Sequence, residues 1–457
     1  MAGSFIKNAR KKAVHILERL KNMQIVQKAA KFCSFCRRHL FLTQILLVLL
    51  FRLTLDILYV AVLSPHYAYS GFTVSIEPLF YLCTWLSLFI FAPFIVSLSN
   101  QHSPSALIVT FLNYLFFIPL TSFGGCYGSD VRFYLIALIF WAVLLFLQFK
   151  LPVLHLKQPD FHASRRLMVW LTVLSCIFVM YISGRYTGFR FTLDVIDVYG
   201  IRREAAAYDL PVVASYLLSM MPIIFTILLS YWIDRKKWSI VIVLCIVYLF
   251  LFSINAQKST FFLLILVLFC RFFYRDWMLR WAAGFLTLFN IVSIAEEKIL
   301  GTFFLMANFI RRMMYLPLLI CEQYYEFFQQ NPQNLYRDGI MGKLSFSEIY
   351  STVIPRVIGE YRGHEMENAN SGLLGDLFAN LPTFPGIILL PLILIVCFRL
   401  LDMTAHSLRS KILIPICFYY ACIFLSGFWS TSLLSNGFLL TCLLLYIYPN
   451  KEELSHA

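Results

Sequence analysis

The chain has 457 residues, of which 60% are hydrophobic and 14% are charged, and its mean hydropathy is +0.75. A soluble protein of this length needs far more polar surface, so the composition excludes an ordinary soluble enzyme and predicts a chain that lies mostly in lipid. The net charge of +14 does not call for a nucleic-acid partner, because the excess lies in the N-terminal tail and in short loops.

The first 39 residues form a basic tail with ten Lys or Arg residues and one acid, Glu18. Residues 5–26 have the spacing of an amphipathic helix that would lie on anionic headgroups. No cleavable signal peptide is expected, since the first apolar run begins only near Leu40. Cys33 and Cys36 resemble half of a zinc site, but no second pair follows, so no metal site is predicted.

Apolar runs long enough to cross about 30 Å of hydrocarbon recur along the chain and predict an all-α polytopic membrane protein. Twelve spans are expected, at 40–63, 76–98, 105–123, 133–150, 166–183, 211–232, 239–254, 260–273, 281–295, 384–401, 412–429 and 431–449.

Basic residues then fall on one side of the membrane in four of the five loops that share a side with the N-terminus. They are Lys150, Lys157, Arg165 and Arg166; Arg235, Lys236 and Lys237; Arg271, Arg275 and Arg280; and Arg399, Arg409 and Lys411. By the positive-inside rule, both the tail 1–39 and the tail 450–457 are expected in the cytoplasm.

Two polar segments are too long to be simple connections, and both fall on the predicted outer face. The first polar segment (184–210) interrupts spans 1–9 (40–295), and the second (296–383) precedes the last three spans (384–449). Loops of this length are usually functional or disordered. The second segment contains helical apolar spacing over 306–330, which predicts a helix near or dipping into the outer interface.

Four arginines occupy the first polar segment, although the positive-inside rule disfavours them there: Arg185, Arg190, Arg202 and Arg203. Guanidinium groups suit bidentate recognition of phosphate or carboxylate, so at least one is predicted to bind an anion. The alternative is local pairing with the acids of the same segment, which are Asp194, Asp197, Glu204 and Asp209. Tyr186, Phe189 and Tyr199 are compatible with sugar stacking or with the aromatic belt.

The second polar segment combines arginines with groups capable of acid–base chemistry. Its candidates are Arg311, Arg312, Tyr325, Glu326, Arg362, His364, Glu365, Glu367, Asn368, Asn370 and Asp376. A His or carboxylate can move a hydroxyl proton, and arginine can stabilise a diphosphate leaving group. This inventory fits sugar transfer from a lipid diphosphate, and the competing interpretation is an ordinary solvated loop.

Two further sites carry charge near or within the membrane. Arg52 and Asp56 lie four residues apart on the first span, so one helix face can hold them as a structural ion pair. Lys258, between two spans, is expected to reach the outer edge, where it could snorkel or contact a phosphate.

Several features of the second segment resemble the Wzy-type polymerases of oligosaccharide repeat units, which make O-antigen and capsule. The features are Arg311-Arg312, Pro317, the run YYEFF at 324–328, the run ANSGLLGD at 369–376, and Gly386. The match covers about 75 residues, and the many spans with two large outer loops agree in architecture.

The resemblance implies a metal- and nucleotide-independent membrane glycosyltransferase with a GT-C-like helical fold in the bacterial inner membrane. A glycan on undecaprenyl diphosphate would pass to a second lipid-linked unit, with Arg311 or Arg312 on the diphosphate and the Asn370 segment at the acceptor. It implies no cofactor, and it allows for a chain-length regulator as a partner. His364, Glu326 and Glu367 are acid–base candidates from local chemistry alone.

Two alternatives remain at this point. An O-antigen ligase would move the same donor onto lipid A-core, and the acceptor cannot be deduced from the sequence. A flippase for the same lipid-linked unit would belong to a different class, and it would be expected to show internal repeats, midplane polar sites and short loops.

Overall fold

The computed structural model describes residues 39–154, 156, 161–192, 199–337, 347–363, 368–405 and 408–449. These residues form helices and contain no β-strand. The helices are α1 (Leu40–Ser70), α2 (Pro78–Ser99), α3 (Pro104–Gly128), α4 (Val131–Lys150), α5 (Phe161–Thr187), α6 (Tyr199–Ala206), α7 (Val212–Asp234), α8 (Trp238–Asn255), α9 (Lys258–Phe272), α10 (Trp277–Arg280), α11 (Ala282–Ala295), α12 (306–330), α13 (Ile354–Tyr361), α14 (Leu374–Asn380), α15 (Thr383–Ala405), α16 (Ser410–Ser426), α17 (Trp429–Leu434) and α18 (Phe438–Tyr446).

Within the described ranges, nine helices are long and apolar enough to cross a membrane, which confirms an all-α polytopic membrane protein. They are α1 to α5, α7, α8, α15 and the broken pair α17–α18. The other three predicted spans coincide with shorter helices, α9, α11 and α16, of 15, 14 and 17 residues. At about 1.5 Å per residue these helices are only about 21–26 Å long, so twelve full spans are not established.

Local chemistry sets the ends of several helices. The Asp130 carboxylate accepts hydrogen bonds from the backbone N–H groups of Arg132 (2.7 Å) and Phe133 (3.1 Å), and so caps α4. Ser103 caps α3 by accepting from the Ala106 N–H, and Pro104 follows at the first helical position. Gly71 ends α1 with a φ of 96°, a conformation that glycine adopts without strain.

The basic residues divide the bundle into two sides. We call the side on which α1 ends and α2 begins the predicted outer side, and the opposite one the predicted inner side. On the predicted inner side, Asp402 of α15 accepts from the Arg399 guanidinium (2.7 Å) and from the Ser105 hydroxyl (2.6 Å) and backbone N–H (2.7 Å). This buried network fixes α15 against the start of α3, which positions the last helices relative to the first.

α1 packs most extensively against α11, and polar side chains set the register of the two helices. The Asn290 amide of α11 donates to the Thr54 hydroxyl (3.0 Å), and Gln44 donates to the carbonyl of Arg280 (3.0 Å), the last residue of α10, just before α11 begins. Elsewhere in the bundle, Phe111 of α3 meets Phe418 of α16 edge-to-face at 5.4 Å. The second polar segment begins directly after α11, and its helix α12 packs against the end of α1.

Candidate functional site

Helix α12 confirms the predicted helix at 306–330 and enters the predicted outer side of the bundle. Its first part, Met306–Tyr315, is π-helical, and its second part, Leu316–Gln330, is α-helical. Phe309 contacts the rings of Phe262 in α9 (5.7 Å between centroids) and Phe289 in α11 (5.9 Å). The first part of α12 is thus packed among other helices and is not a solvated loop.

Tyr315 joins α12 to the membrane helices. Its hydroxyl donates to the Leu55 carbonyl of α1 (2.9 Å) and shares a hydrogen bond with the Ser122 hydroxyl of α3 (3.0 Å). Its ring lies 5.2 Å from that of Tyr59. Tyr59 itself belongs to a π-helical turn of α1, Tyr59–Leu63, so two π-helical stretches meet here. Such stretches are frequent at functional sites.

Arg311 and Arg312 are adjacent in sequence but differ in environment. The Arg311 guanidinium is half-buried and lies 4.3 Å from the centroid of the Tyr67 ring, whereas Arg312 is exposed. The Arg311 Nε is buried and has no hydrogen-bond partner among the described residues. An unpaired buried N–H is costly unless an acceptor arrives, so this arginine is suited to bind an anionic group.

The Tyr67 ring that contacts the Arg311 guanidinium belongs to a cluster of rings. Tyr67 contacts Tyr69 (5.9 Å between centroids) and meets Phe303 edge-to-face at 6.1 Å, and Phe303 also lies 4.4 Å from His66. Tyr69 is 84% exposed, so one face of this cluster is open to a ligand. A cation beside exposed rings can contact a phosphate and an adjoining sugar face together.

A buried ion pair lies beneath α12, and it confirms the predicted pairing of Arg52 with Asp56. The Arg52 guanidinium also donates to the hydroxyls of Thr121 (2.9 Å) and Thr84 (3.1 Å), and lies 5.0 Å from the Trp85 ring. These partners come from α2 and α3, so one buried cation holds three helices together.

Asp56 connects this pair to α12. Its carboxylate accepts from the hydroxyls of Tyr81 (2.9 Å) and Ser122 (2.6 Å), and Ser122 in turn contacts Tyr315. A Cβ at Gly125 would lie 2.7 Å from the Thr84 hydroxyl, so glycine is needed for this close packing. The ion pair is a structural support of the candidate site.

Glu322 is a buried carboxylate on α12 and was not among the predicted site residues. It accepts from the Ser129 hydroxyl (2.9 Å) and from the Asp130 backbone N–H (2.9 Å), at the turn between α3 and α4. Burial raises its pKa to about 7, and the two hydrogen bonds oppose this rise. The sequence does contain a signal for the burial of Glu322. Leu318 and Leu319 precede it by four and three residues, which places position 322 on the apolar face of the helix.

Two predicted site residues follow on the same helix. The Glu326 side chain is exposed. Its pKa is nevertheless raised, first by partial desolvation of the carboxylate and second by the nearby negative charge of Asp130. Tyr325 is buried, and its hydroxyl donates to the Asp130 carboxylate at 3.3 Å. Glu326 is therefore the accessible carboxylate of α12, while Tyr325 is held against the α3–α4 turn.

The run 369–376 is a packed junction between α12 and the last helices. The Tyr324 hydroxyl donates to the Ala369 carbonyl (2.9 Å), and the Gly372 N–H donates to the Leu425 carbonyl (3.0 Å). Asp376 is buried and accepts from the backbone N–H of Trp429 (2.7 Å). Within the run 369–376, Asn370 is exposed and the other seven residues are buried.

The remaining candidates of the second segment are only partly described. Arg362 is half-buried at the end of α13. His364, Glu365 and Glu367, which supply two of the three predicted acid–base groups, lie outside the described residues.

The described parts of the first polar segment, 184–192 and 199–210, contact α8 and its C-terminal end. Arg190 pairs with Glu204 at 2.5 Å, and Tyr208 donates to the same carboxylate at 2.9 Å. These hydrogen bonds lower the Glu204 pKa, the Arg190 contact first. Arg202 donates to the Ala256 carbonyl at 3.3 Å. Local pairing thus occurs at Arg190.

The other cations of this region are placed as follows. Arg185 is exposed, with its guanidinium 5.8 Å from the Tyr186 ring, and Arg203 is exposed. Lys258 is half-buried as the first residue of α9, the helix whose Phe262 contacts Phe309 of α12. Phe261 of α9 and Ile201 of α6 pack against the same two residues, Phe252 and Ala256, so α9 adjoins both polar segments. Asp194 and Asp197 lie outside the described residues.

Among the described residues, no group of three or more His, Cys, Asp or Glu side chains is placed to hold a metal ion. The structure thus assembles one candidate site around Arg311 and the Tyr67 cluster, anchored to the membrane helices through Tyr315 and the Arg52–Asp56 pair. Glu326 lies 15 residues further along α12, about 20 Å from Arg311 along the helix axis. The chain matches no protein-family model, no curated protein and no solved structure.

Proposed function

We propose that this chain joins lipid-linked oligosaccharide repeat units by glycosyl transfer at the outer face of the bacterial inner membrane, in the manner of the Wzy-type polymerases it resembles. The proposal includes twelve membrane crossings, a GT-C-like arrangement and cytoplasmic ends. The orientation rests on the bias of Lys and Arg residues toward one side.

One observation carries the proposal: the half-buried Arg311 guanidinium, whose Nε has no hydrogen-bond partner among the described residues, lies against the half-buried Tyr67 ring, which in turn contacts the exposed Tyr69 ring. In the proposed reaction Arg311 and its exposed neighbour Arg312 bind the diphosphate of the undecaprenyl-linked donor. The aromatic rings contact the first sugars of the glycan. The charge of the departing diphosphate is then stabilised by cations that are already in position.

The bond changes follow from this arrangement. An acceptor hydroxyl oxygen bonds to the anomeric carbon of the donor glycan, and the bond from that carbon to the diphosphate oxygen breaks. The hydroxyl proton leaves to a general base. Glu326 is an exposed carboxylate with a raised pKa, but it lies 15 residues beyond Arg311 on α12, about 20 Å along the helix axis, and so too far from the diphosphate to take this proton. His364 and Glu367 remain proposed alternatives for this role.

The test is polymerisation by the purified protein in lipid nanodiscs. Lipid-linked repeat units are supplied without nucleotide and with a chelator, and products are separated by chain length. We expect a ladder with wild-type protein and with Arg409→Ala, an exposed arginine on the predicted inner side, and single units with Arg311→Ala. Unchanged single units with folded wild-type protein would overturn the proposal. Translocation of a labelled unit without product would instead indicate a flippase.

The acceptor is tested in cells, because a ligase would use the same donor. Deletion of a polymerase leaves one repeat unit on the core, whereas deletion of a ligase leaves none. Loss of every unit would therefore contradict polymerisation and leave glycosyl transfer from the same donor.

A further inference from the structure

A cavity at the start of α5 lies apart from the candidate site and combines cations with apolar side chains. Arg165, Arg166, Val169 and Trp170 line about 390 Å³ of space on the predicted inner side. We propose that this cavity binds the phosphate headgroup of an anionic phospholipid, with the acyl chains along α5.

The four side chains are arranged in two layers. Arg165 precedes Val169, and Arg166 precedes Trp170, by four residues, so each arginine lies about one turn from an apolar side chain on the same helix face. Both arginines are exposed, and Trp170 is 62% exposed. A charged layer followed by an apolar layer with a tryptophan matches the boundary between headgroups and acyl chains.

Among the described residues, no carboxylate pairs with either of the two arginines, whereas carboxylates neutralise other cations of the chain. Arg271, on the same side of the bundle, pairs with Asp234 at 2.5 Å. In the part of the chain that the structure describes, neither Arg165 nor Arg166 forms an ion pair or a hydrogen bond. Two adjacent guanidinium groups without acceptors are suited to a phosphate, which offers several oxygens at once.

A neighbouring helix completes the positive environment. The guanidinium of Arg235 lies 4.5 Å from the centroid of the Tyr231 ring at the end of α7, and Arg165 is close enough to Tyr231 to interact with it electrostatically. The Trp232 indole N–H donates to the Thr172 hydroxyl at 2.9 Å, which holds α7 against α5. The cavity therefore lies in the field of three arginines on two fixed helices.

The charged layer and the apolar layer together indicate which ligand fits the cavity. Free phosphate would satisfy the arginines but leave Val169 and Trp170 without a partner. A zwitterionic lipid carries its own cation, which competes with the arginines for the phosphate. An anionic glycerophospholipid such as phosphatidylglycerol satisfies both layers, and each basic residue near the surface adds about 1 kcal/mol of attraction.

The test compares thermal unfolding of the full chain in micelles containing phosphatidylglycerol or phosphatidylcholine. Arg165→Gln/Arg166→Gln removes two charges from the cavity, and Lys236→Gln/Lys237→Gln removes two exposed charges from a nearby loop. We expect phosphatidylglycerol to raise the Tm of wild type and of Lys236→Gln/Lys237→Gln. The Arg165→Gln/Arg166→Gln protein should need at least about tenfold more lipid for the same rise.

Three outcomes would overturn the proposal. The two lipids could raise the Tm of wild type equally, Lys236→Gln/Lys237→Gln could lose as much of the lipid response as Arg165→Gln/Arg166→Gln, or inorganic phosphate alone could give the same rise in Tm. If Arg165→Gln/Arg166→Gln does not fold, Arg165→Lys/Arg166→Lys replaces it. That variant keeps both charges but loses the planar forks, so a weaker response than wild type is expected, and an unchanged response would count against the site.

Discussion

The hydroxyl of Tyr315 donates to the carbonyl oxygen of Leu55 at 2.9 Å, and this contact joins the polar helix α12 to the first membrane helix. Both groups are fully buried, so water cannot replace the hydrogen bond. Because Arg311 lies one turn before Tyr315 on α12, the position of its guanidinium depends on this anchor.

Tyr315→Phe removes the hydroxyl while keeping the ring on Tyr59. We expect the free energy of unfolding to fall by about 1–2 kcal/mol, because the Ser122 hydroxyl also loses a partner. Unfolding in detergent, followed by tryptophan fluorescence, measures the change. Tyr181→Phe, at a 64% exposed tyrosine, is the matched control, and an equal effect in both variants would show that the Tyr315 hydroxyl contributes nothing.

Removing one member of the buried ion pair should be far more damaging. Asp56→Asn leaves the Arg52 charge buried without its carboxylate, and we expect a loss of about 3–5 kcal/mol. The double variant Arg52→Met/Asp56→Leu removes both charges, so it should recover much of that stability. A double variant that is less stable than Asp56→Asn would contradict a mainly electrostatic origin. The same unfolding assay measures all three proteins.

The sequence predicts this ion pair but not its surroundings. A spacing of four residues places Arg52 and Asp56 on one helix face, and a local rule is enough for that. The contacts with Thr121 and Ser122 are made about 70 residues away in sequence, and no helical periodicity reveals which helices become neighbours. The same limit explains why a helix was predicted at 306–330 while its anchoring through Tyr315 was not.

Helix length was the other point that hydropathy did not determine. Apolar composition correctly located α9, α11 and α16, but composition does not fix where a helix ends. α11 gives way to a π-helical turn, Glu296–Leu300, and then to Gly301 with a φ of 66°. The Glu296 carboxylate accepts from the N–H groups of Phe304 (2.7 Å) and Leu305 (2.9 Å), which turns the chain toward α12.

Glu322 should make stability depend on pH. Its pKa is about 7 in the folded chain against an ordinary 4.5, so between these values the folded state binds more protons than the unfolded state. This contribution is complete below about pH 4.5 and is lost as pH rises through about 7, a total of about 3 kcal/mol. Glu322→Gln removes the charge. Its amide oxygen can still accept from the Asp130 N–H, and its NH2 group can donate to the Ser129 hydroxyl, which reverses the direction of that bond.

We therefore expect Glu322→Gln to match wild type near pH 5 and to unfold at a higher temperature than wild type at pH 8. Glu326→Gln, at an exposed carboxylate four residues further along α12, is the control and should retain most of the wild-type pH dependence. Melting curves measured from pH 5 to 8 in one detergent provide the comparison. Parallel curves for wild type and Glu322→Gln would show that Glu322 is not the group that titrates.

Gly372 permits the junction between the 369–376 run and α16. A Cβ at this position would lie 2.0 Å from the Phe424 carbonyl oxygen, which is backbone and cannot turn aside. Gly372→Ala should therefore destabilise the protein by about 3 kcal/mol or more, through overpacking and loss of the bond to Leu425. Gly200→Ala, where no atom lies within 4 Å, is the control. Equal melting temperatures would contradict the tight packing.

The two adjacent arginines of α12 should differ in their response to a charge-conserving change. Arg311→Lys keeps a cation but removes the buried Nε and the planar fork that lies over the Tyr67 ring. We expect chain elongation to fall at least about tenfold, since each lost bidentate contact to a phosphate is worth more than about 1.4 kcal/mol. Arg312→Lys should lose less of the elongation rate, because that side chain is exposed and its charge can act without a fixed geometry.

The readout is the rate of ladder formation at saturating and at limiting donor, which separates a binding defect from a defect in the chemical step. Equal rates for both lysine variants and wild type would show that only net charge matters here, and would remove the Arg311 guanidinium from the diphosphate site.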